Sequence, residues 1–479
     1  MTKTNVIHYP HLIGKEEITG ENHIEVFNKY TKEAIGTVGR GTTEDIHKAV
    51  SSAREALENN TLTPVQRCDL LHAASKLFQE RKETIAETVS REVGKTIRDA
   101  RLEVDRGIQT FMIAAEEAKR VTGRMIPIDG QAGNENKLAF TIRQAVGVIG
   151  AIAPFNFPFN LSAHKVAPAL AAGNAVVLKP AEKTPLSALL MAETLREAGF
   201  PPGFINVVNG YGHEAGEALL AHEGIDMFTF TGSSDIGQHV KSKTGIRKVT
   251  LELGSNAPTI VHHDVKDIHQ AAKACVEKGV IHNGQACISV QRVYVHEEII
   301  EDFLTEAKAV ADSLIVGNPL ENNTDIGPMI DEASAVRIES WVEEALNDGA
   351  RIVTGHKRDR STYYPTIITD VSSKMKVVCE EVFAPVIVIV PYGNLDEAVE
   401  LANHSRFGLQ VGVFTSDIDL AMRASKKLRY GGIIINDVST FRADIMPYGG
   451  IKDSGVGKEG PRYAMEEMTD EKTVVVNIQ

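Results

Sequence analysis

Val146-Gly-Val-Ile-Gly150-Ala-Ile-Ala153 opens the stretch whose reading decides the fold. From here the chain alternates short apolar runs with helix-like segments. The runs fall at 146–153, 175–179, 205–208, 227–231 and 248–251, and helices such as 185–198 and 235–243 lie between them. Runs this short, apolar and spaced by helices predict a parallel sheet covered by helices. Such sheets bind ligands at the carboxyl ends of their strands.

Downstream, the last of these runs reads Lys248-Val-Thr-Leu-Glu252-Leu-Gly254, an apolar alternation carrying one carboxylate. A helix-like segment over 265–282 follows, then a small-residue loop, Gly284-Gln-Ala-Cys287-Ile-Ser. A carboxylate and a thiol therefore stand at the two ends of one unit, an arrangement suited to covalent catalysis. A second α/β run continues through 293–296, a helix near 297–314, and strands at 351–354, 386–390 and 431–435. The tail, Lys472-Thr-Val-Val-Val-Asn-Ile, is a β-branched strand.

Upstream, the first forty residues read as short strands and turns, and 43–118 as charged amphipathic helix. Two β-like runs, 123–129 and 137–143, flank a loop rich in Gly and Asn and predict a long hairpin.

The chain has 479 residues, 43% hydrophobic and 24% charged, which fits two or three globular domains. Its net charge of -13 argues against nucleic acid as a partner. No run approaches the ~18 apolar residues of a membrane span. The start lacks the apolar segment of a secretory signal. Cys68, Cys275, Cys287 and Cys379 form no C-x-x-C pair and no zinc-like spacing, so no metal is expected and a reduced, cytoplasmic setting is.

Several residues are chemically suggestive. The small neighbours Gly284 and Ala286 leave the Cys287 sulfur accessible, yet a lone cysteine is more often a buried structural thiol. Glu252, ending an apolar strand, should have a raised pKa and can serve as a general base; a surface carboxylate reads the same way. Asn156, in Ala153-Pro-Phe-Asn-Phe-Pro158, offers a fixed amide to an oxyanion, though Asn is common in turns. Phe230-Thr-Gly232-Ser233-Ser-Asp-Ile-Gly237 joins a strand end to a helix start, where free N–H groups suit a phosphate. Gln238 stands where a P-loop requires lysine, and helix packing explains the glycines equally well. Lys179 and Glu182 follow another strand and could hold ribose hydroxyls or form a surface turn.

Taken in order, seven motifs resemble the NAD(P)-dependent aldehyde dehydrogenase superfamily. They are Pro154-Phe-Asn-Phe-Pro, Lys179-Pro-Ala-Glu182, Phe230-Thr-Gly-Ser233, Leu251-Glu-Leu-Gly254, Gly284-Gln-Ala-Cys287, Glu380-Glu-Val-Phe-Ala-Pro385 and Pro447-Tyr-Gly-Gly-Ile-Lys-Asp-Ser-Gly455. The resemblance implies an α/β fold with a Rossmann-like cofactor domain (1–122 and 144–253), an α/β catalytic domain (254–445) and a β oligomerisation element (123–143 and 446–479). It implies a homodimer or homotetramer in which the hairpin joins the tail strand in one element whose edges pair across a subunit interface. It also implies a mechanism. Cys287 attacks the aldehyde, Asn156 and the Cys287 N–H hold the oxyanion, and hydride passes to nicotinamide. Glu252 then activates water to release the acid. Lys179, Glu182, Gly232, Ser233, Gly237, Glu381 and Phe383 would hold the cofactor. NAD is favoured over NADP because Glu182 would repel a 2′-phosphate.

A substrate-side trio, Arg106, Arg442 and Phe157, is also implied. Two converging guanidiniums would select a short anionic or α-hydroxy aldehyde of the 3-sulfolactaldehyde, lactaldehyde or succinic semialdehyde kind. The Phe441-Arg-Ala-Asp-Ile-Met-Pro-Tyr-Gly-Gly450 pattern is similar to the lactaldehyde, sulfolactaldehyde and phosphonoacetaldehyde dehydrogenase branch. Ala286 and Phe157 stand where the phosphonoacetaldehyde enzymes carry Arg and His, which counts against phosphonate. An aromatic aldehyde is the alternative substrate, in a tunnel of Phe111, Phe155, Phe157 and Phe441. CoA-acylating release and a non-catalytic structural role are the alternatives of other classes. The presence of Glu252 beside Asn156 and Cys287 counts against both.

Overall fold

A computed structural model describes residues 7–20 and 22–478. The predicted parallel sheet is present. Lys248–Glu252, Met227–Thr231, Val148–Ile152, Ala175–Lys179 and Ile205–Val207 pair in parallel in that order. Antiparallel strands extend it on both sides: Gly455–Val456 beside Lys248–Glu252, and His11–Ile13 with Glu16–Ile18 at the far edge. Alternate residues of its strands enter two separate cores. Ile149, Ala151, Val176 and Leu178 face one, while Val148, Val177, Phe228 and Phe230 face the other. Burial on both faces explains why these strands read as continuous apolar runs.

The second α/β run forms a seven-stranded sheet in the order Arg351–Thr354, Thr366–Thr369, Val386–Tyr392, Arg292–His296, Pro258–Val261, Gln410–Phe414 and Gly432–Ile435. All its pairings are parallel except that of Arg351–Thr354.

The charged region 43–118 resolves into four helices, Thr43–Asn59, Pro64–Glu80, Lys82–Val93 and Ile97–Ala118. Thr42 and Thr63 close capping boxes, Pro64 takes the first helical position, and Thr96 caps the last helix. The hairpin is shorter on its first side than predicted. Only Met125–Ile126 is strand, and the chain then turns into a 3-10 segment at Ile128–Gly130. Pro127 between them has no N–H to continue the ladder. The other side, Lys137–Ala145, pairs along its whole length with the tail strand Thr469–Asn477 of the same chain.

One crossing of the chain between the two sheets, residues 253–257, is tied at successive residues. The Leu253 N–H donates to the Ser454 carbonyl at 3.0 Å. The Ser454 hydroxyl donates to the Gly254 carbonyl at 2.8 Å. The Ser255 N–H donates to Glu381 at 2.9 Å, and the Asn256 amide to the Val378 carbonyl at 2.9 Å.

Candidate active site

Cys287 follows a backbone that is forced into shape. The helix predicted over 265–282 spans Ile268–Val280, after which His282 and Asn283 adopt left-handed φ values of 49° and 57°. Gly284 continues with φ 69°, and a Cβ there would fall 2.0 Å from the Ala384 carbonyl oxygen. Glycine is therefore required at this approach. The Gln285 side chain accepts the Ile330 N–H at 3.0 Å, fixing the loop to the neighbouring segment. The partly buried Cys287 sulfur lies 3.2 Å from the Tyr448 hydroxyl. Burial pushes the thiol up to about 11, against the pull of Tyr448 and Arg442. The resting group is a thiol, so attack needs a proton acceptor.

Glu252 ends its strand only 4% exposed, and neither carboxylate oxygen has a partner among the described residues. Its neighbour Gly449 leaves no room for a side chain: a Cβ there would lie 2.8 Å from Glu252 Oε1. Burial raises the Glu252 pKa well above the usual carboxylate range, and the Glu459 carboxylate adds to the rise. Glu459 is the contrasting acid. Burial pushes it up as well, but Lys165 and Arg442, each 3.1 Å away, hold it down at about 2. Of two buried carboxylates, one is fully paired and ionised and the other unpaired and poised to exchange a proton.

Asn156 is held by the loop it faces. Its side-chain amide donates to the Gln285 carbonyl at 2.8 Å, two residues before the nucleophile. The helix Pro158–Ala172 that follows starts on Glu103, which accepts the Phe159 and Asn160 N–H groups at 2.9 and 3.2 Å. A carboxylate suits these free helix-start donors. Glu103 in turn pairs with Lys95, and both side chains are fully buried. The Lys95 ammonium sits 3.7 Å over the Phe157 ring, whose edge meets buried His282 at 5.5 Å between centroids. Phe157 is thus wedged beside the nucleophile loop.

A cleft of about 760 Å³ runs from Lys179 and Glu182, past Gly232 and Ser233, to Glu381, Phe383 and Cys287. Lys179 is 3% exposed, donates to the Pro180 carbonyl at 2.8 Å and lies 3.7 Å from Glu182. Ser233 caps the helix Ser234–Thr244 by accepting the Ile236 N–H at 3.4 Å. Glu381 accepts the Ser255 N–H, and burial raises its carboxyl to about 7. The Phe383 ring, on a residue with φ 48°, stands edge-on to Phe155 at 5.9 Å. A cleft with a strand-end cation and carboxylate at one end, a helix start midway and the thiol at the other suits an elongated dinucleotide. Gly237 lies against Leu253, where a Cβ would meet a methyl at 2.3 Å, so it lets the helix Ser234–Thr244 approach the strand end closely.

Arg106 and Arg442 are both ion-paired. Arg106 reaches Asp444 at 2.8 Å; Asp444, two residues after Arg442, also lies 3.0 Å from His164. Arg442, 5% exposed, pairs with Glu459 and stacks 3.7 Å over the Tyr448 ring. Its Nε–H is buried without a partner among the described residues. Phe111 is fully buried against Phe78, 4.9 Å between ring centroids, which takes it out of an aromatic tunnel. Sequence reasoning passed over Lys165, Glu459 and Tyr448. Lys165 carried a signal: it is the one Lys, Arg, Asp or Glu in the helix Pro158–Ala172, and buried lysines need partners.

Comparison with known proteins agrees with this geometry. The aldehyde dehydrogenase family pattern matches residues 17–474. A 3-sulfolactaldehyde dehydrogenase of Priestia aryabhattai is 49% identical over 465 residues, 97% of each chain. A lactaldehyde dehydrogenase of Methanococcus maripaludis is 40% identical over 462 residues, 95% of this chain and 97% of that one. The crystal structure of aldehyde dehydrogenase 21 from Physcomitrella patens, in complex with the reaction product succinate, superposes with a TM-score of 0.96 at 38% identity and covers 98% of both chains.

Proposed function

We propose what this chain does within the aldehyde dehydrogenase family, to which it belongs: it oxidises a short anionic or α-hydroxy aldehyde to the free acid with NAD. NADP is the less favoured acceptor. The observation that carries the substrate class is the unpaired, buried Nε–H of Arg442, on a guanidinium stacked over the ring whose hydroxyl touches Cys287. A buried donor without a partner favours a ligand that supplies an acceptor. The named activities of the relatives, on 3-sulfolactaldehyde and lactaldehyde, and the succinate in the plant enzyme support the same class.

The chain's residues divide the work. The Cys287 thiol gives its proton to solvent, and its sulfur bonds to the aldehyde carbon, giving a thiohemiacetal oxyanion. Asn156 and the Cys287 N–H donate to that oxygen. Lys179, Glu182, Gly232, Ser233, Glu381 and Phe383 would hold the dinucleotide, which supplies a hydride acceptor when bound. Glu252 takes a proton from water, which attacks the thioester, and the acid leaves with Cys287 restored as thiol. Arg106, Arg442 and Phe157 flank the aldehyde.

Residues 1–122 and 144–253 act as the cofactor domain and 254–445 as the catalytic domain, a division supported by the two sheets. Residues 123–143 and 446–479 act as the oligomerisation element, although Gly455–Val456 also edges the first sheet. The exposed Leu138, Ile142, Val475 and Val476 on its three-stranded sheet support a homodimer or homotetramer. No helix among the described residues is long and apolar enough to cross a membrane. Four free cysteines fit a reducing, cytoplasmic setting.

The test is NADH formation across sulfolactaldehyde, lactaldehyde, succinic semialdehyde, phosphonoacetaldehyde and benzaldehyde, on the wild type and on the Arg106→Ala/Arg442→Ala variant. The anionic aldehydes should lead, and the variant should lose them selectively in kcat/KM. A lead by benzaldehyde, or no selective loss, would overturn the substrate class.

A further inference from the structure

We propose that His262, His263 and His296 form a binding site for a divalent transition-metal ion, apart from the catalytic cleft. One ligand atom from each of these three residues lies within 4.8 Å of the others. The strands dictate this. His262 and His263 follow Pro258–Val261, and His296 ends the adjacent strand, whose Val295 is in register with Val261. The three rings gather with centroids 4.3, 4.6 and 5.2 Å apart.

The surroundings resemble a prepared ligand set more than a chance stack. His262 Nδ1 lies 3.1 Å from Asp264 Oδ1. Asp264 is itself fixed by the Thr415 hydroxyl and the Ser416 and Asp417 N–H groups, at 2.9–3.0 Å. A carboxylate on one ring nitrogen fixes the tautomer and leaves the other nitrogen's lone pair for a metal. His296 is packed edge-on to Tyr392 at 5.3 Å, and its Nδ1 accepts only a long bond from the Glu298 N–H, 3.3 Å. The metal replaces that weak contact. His263 is 43% exposed and provides the way in, with the Glu298 carboxylate 4.0 Å from its Nδ1 as a candidate fourth ligand. Tetrahedral bonds of about 2.0–2.1 Å need ligand atoms about 3.3–3.4 Å apart, so the rings close by about 1.5 Å at most. Burial, then the neighbouring His263, lowers the His262 pKa, which favours the neutral form that ligates.

The position gives the ion its role. Pro258 and Arg292 begin their strands close in sequence to Glu252 and Cys287, whereas the histidines stand at the opposite strand ends, roughly 13–17 Å along at ~3.3 Å per residue. An ion there pins two central strands, and through Asp264 the 415–417 loop, without touching the chemistry. The other metal-like group, Cys68 with His72 and Glu116, is less apt because His72 and Glu116 already pair with each other at 2.9 Å.

The test is Co²⁺ titration of the full-length protein, followed by visible absorption and thermal unfolding. One equivalent should bind with d–d bands of nitrogen and oxygen ligation, lack a thiolate charge-transfer band, and raise Tm by several degrees. The His263→Gln variant, changed at an exposed ring, should weaken binding at least tenfold. The His263→Gln/His296→Gln variant should abolish both the bands and the Tm rise, with NADH formation unchanged. Absent binding, binding unaffected by the single variant, or a thiolate band pointing to Cys68 or Cys287 would overturn the proposal.

Discussion

The hydroxyl oxygen of Tyr448 stands 3.2 Å from the sulfur of Cys287. It is the direct polar contact that opposes the rise of the thiol pKa by burial. Tyr448→Phe removes one donor to the thiolate, worth ~1 kcal/mol, and should slow Cys287 alkylation by iodoacetamide at pH 8 about fivefold. The alkylation pH profile should move to higher pH. An unmoved profile would mean that the tyrosine only fills space.

Glu252→Gln tests the division of labour between the two buried acids. The first turnover should survive as a burst of NADH, while steady-state turnover falls roughly a hundredfold, as for loss of a general base. Only ionised Glu252 accepts a proton, and its pKa is raised. The wild-type steady-state rate should therefore fall with decreasing pH while still above the ordinary carboxylate range. Loss of the burst together with turnover would place Glu252 in the attack step instead.

Glu182, about one-third exposed and 3.7 Å from Lys179, should decide between the dinucleotides. Removing its charge in Glu182→Gln should raise the NADP-to-NAD ratio of kcat/KM roughly fivefold to tenfold, in keeping with ~1 kcal/mol for a partly exposed charge. An unchanged ratio would shift the discrimination elsewhere in the cleft.

Lys95→Met leaves Glu103 as an unpaired buried charge beneath the Asn156 loop. Breaking such a pair costs about 3–5 kcal/mol, so the urea midpoint should fall clearly. Adding Glu103→Gln, which keeps an acceptor for Phe159 and Asn160, should recover most of the loss. No recovery would show that packing of the lysine stem on Phe157, and not charge, is what the site needs.

Truncation after Met468 removes the strand that pairs with Lys137–Ala145. The hairpin then exposes a nine-residue edge, and sedimentation should report a smaller assembly or aggregation. A native sedimentation profile would exclude the tail from the interface.

The strands were legible because burial on both faces leaves runs such as Ala175–Lys179 with every residue inside. Cys287, Glu252 and Asn156 were legible because each sits in a short motif beside a strand or loop end. Lys165, Glu459 and Tyr448 were not, since their meaning lies in contacts 161 and 294 residues apart along the chain. The partners of Arg106 and Arg442 were hidden for the same reason, although Asp444 stands two residues from Arg442. Pro127 shortened the hairpin through a local rule that the apolar pattern of 123–129 masked.

The crossing at residues 253–257 is bonded to Ser454, Glu381 and Val378 by backbone and side chain alike. A segment restrained at each step makes a poor hinge, which disfavours a clamshell motion about this crossing. The adjustable parts are then side chains: the Glu252 carboxylate, which has no partner among the described residues, and the Asn156 amide and Arg442 head group, which hold the Gln285 carbonyl and Glu459. Viscosity should then slow turnover less than it would that of a domain-closing catalyst.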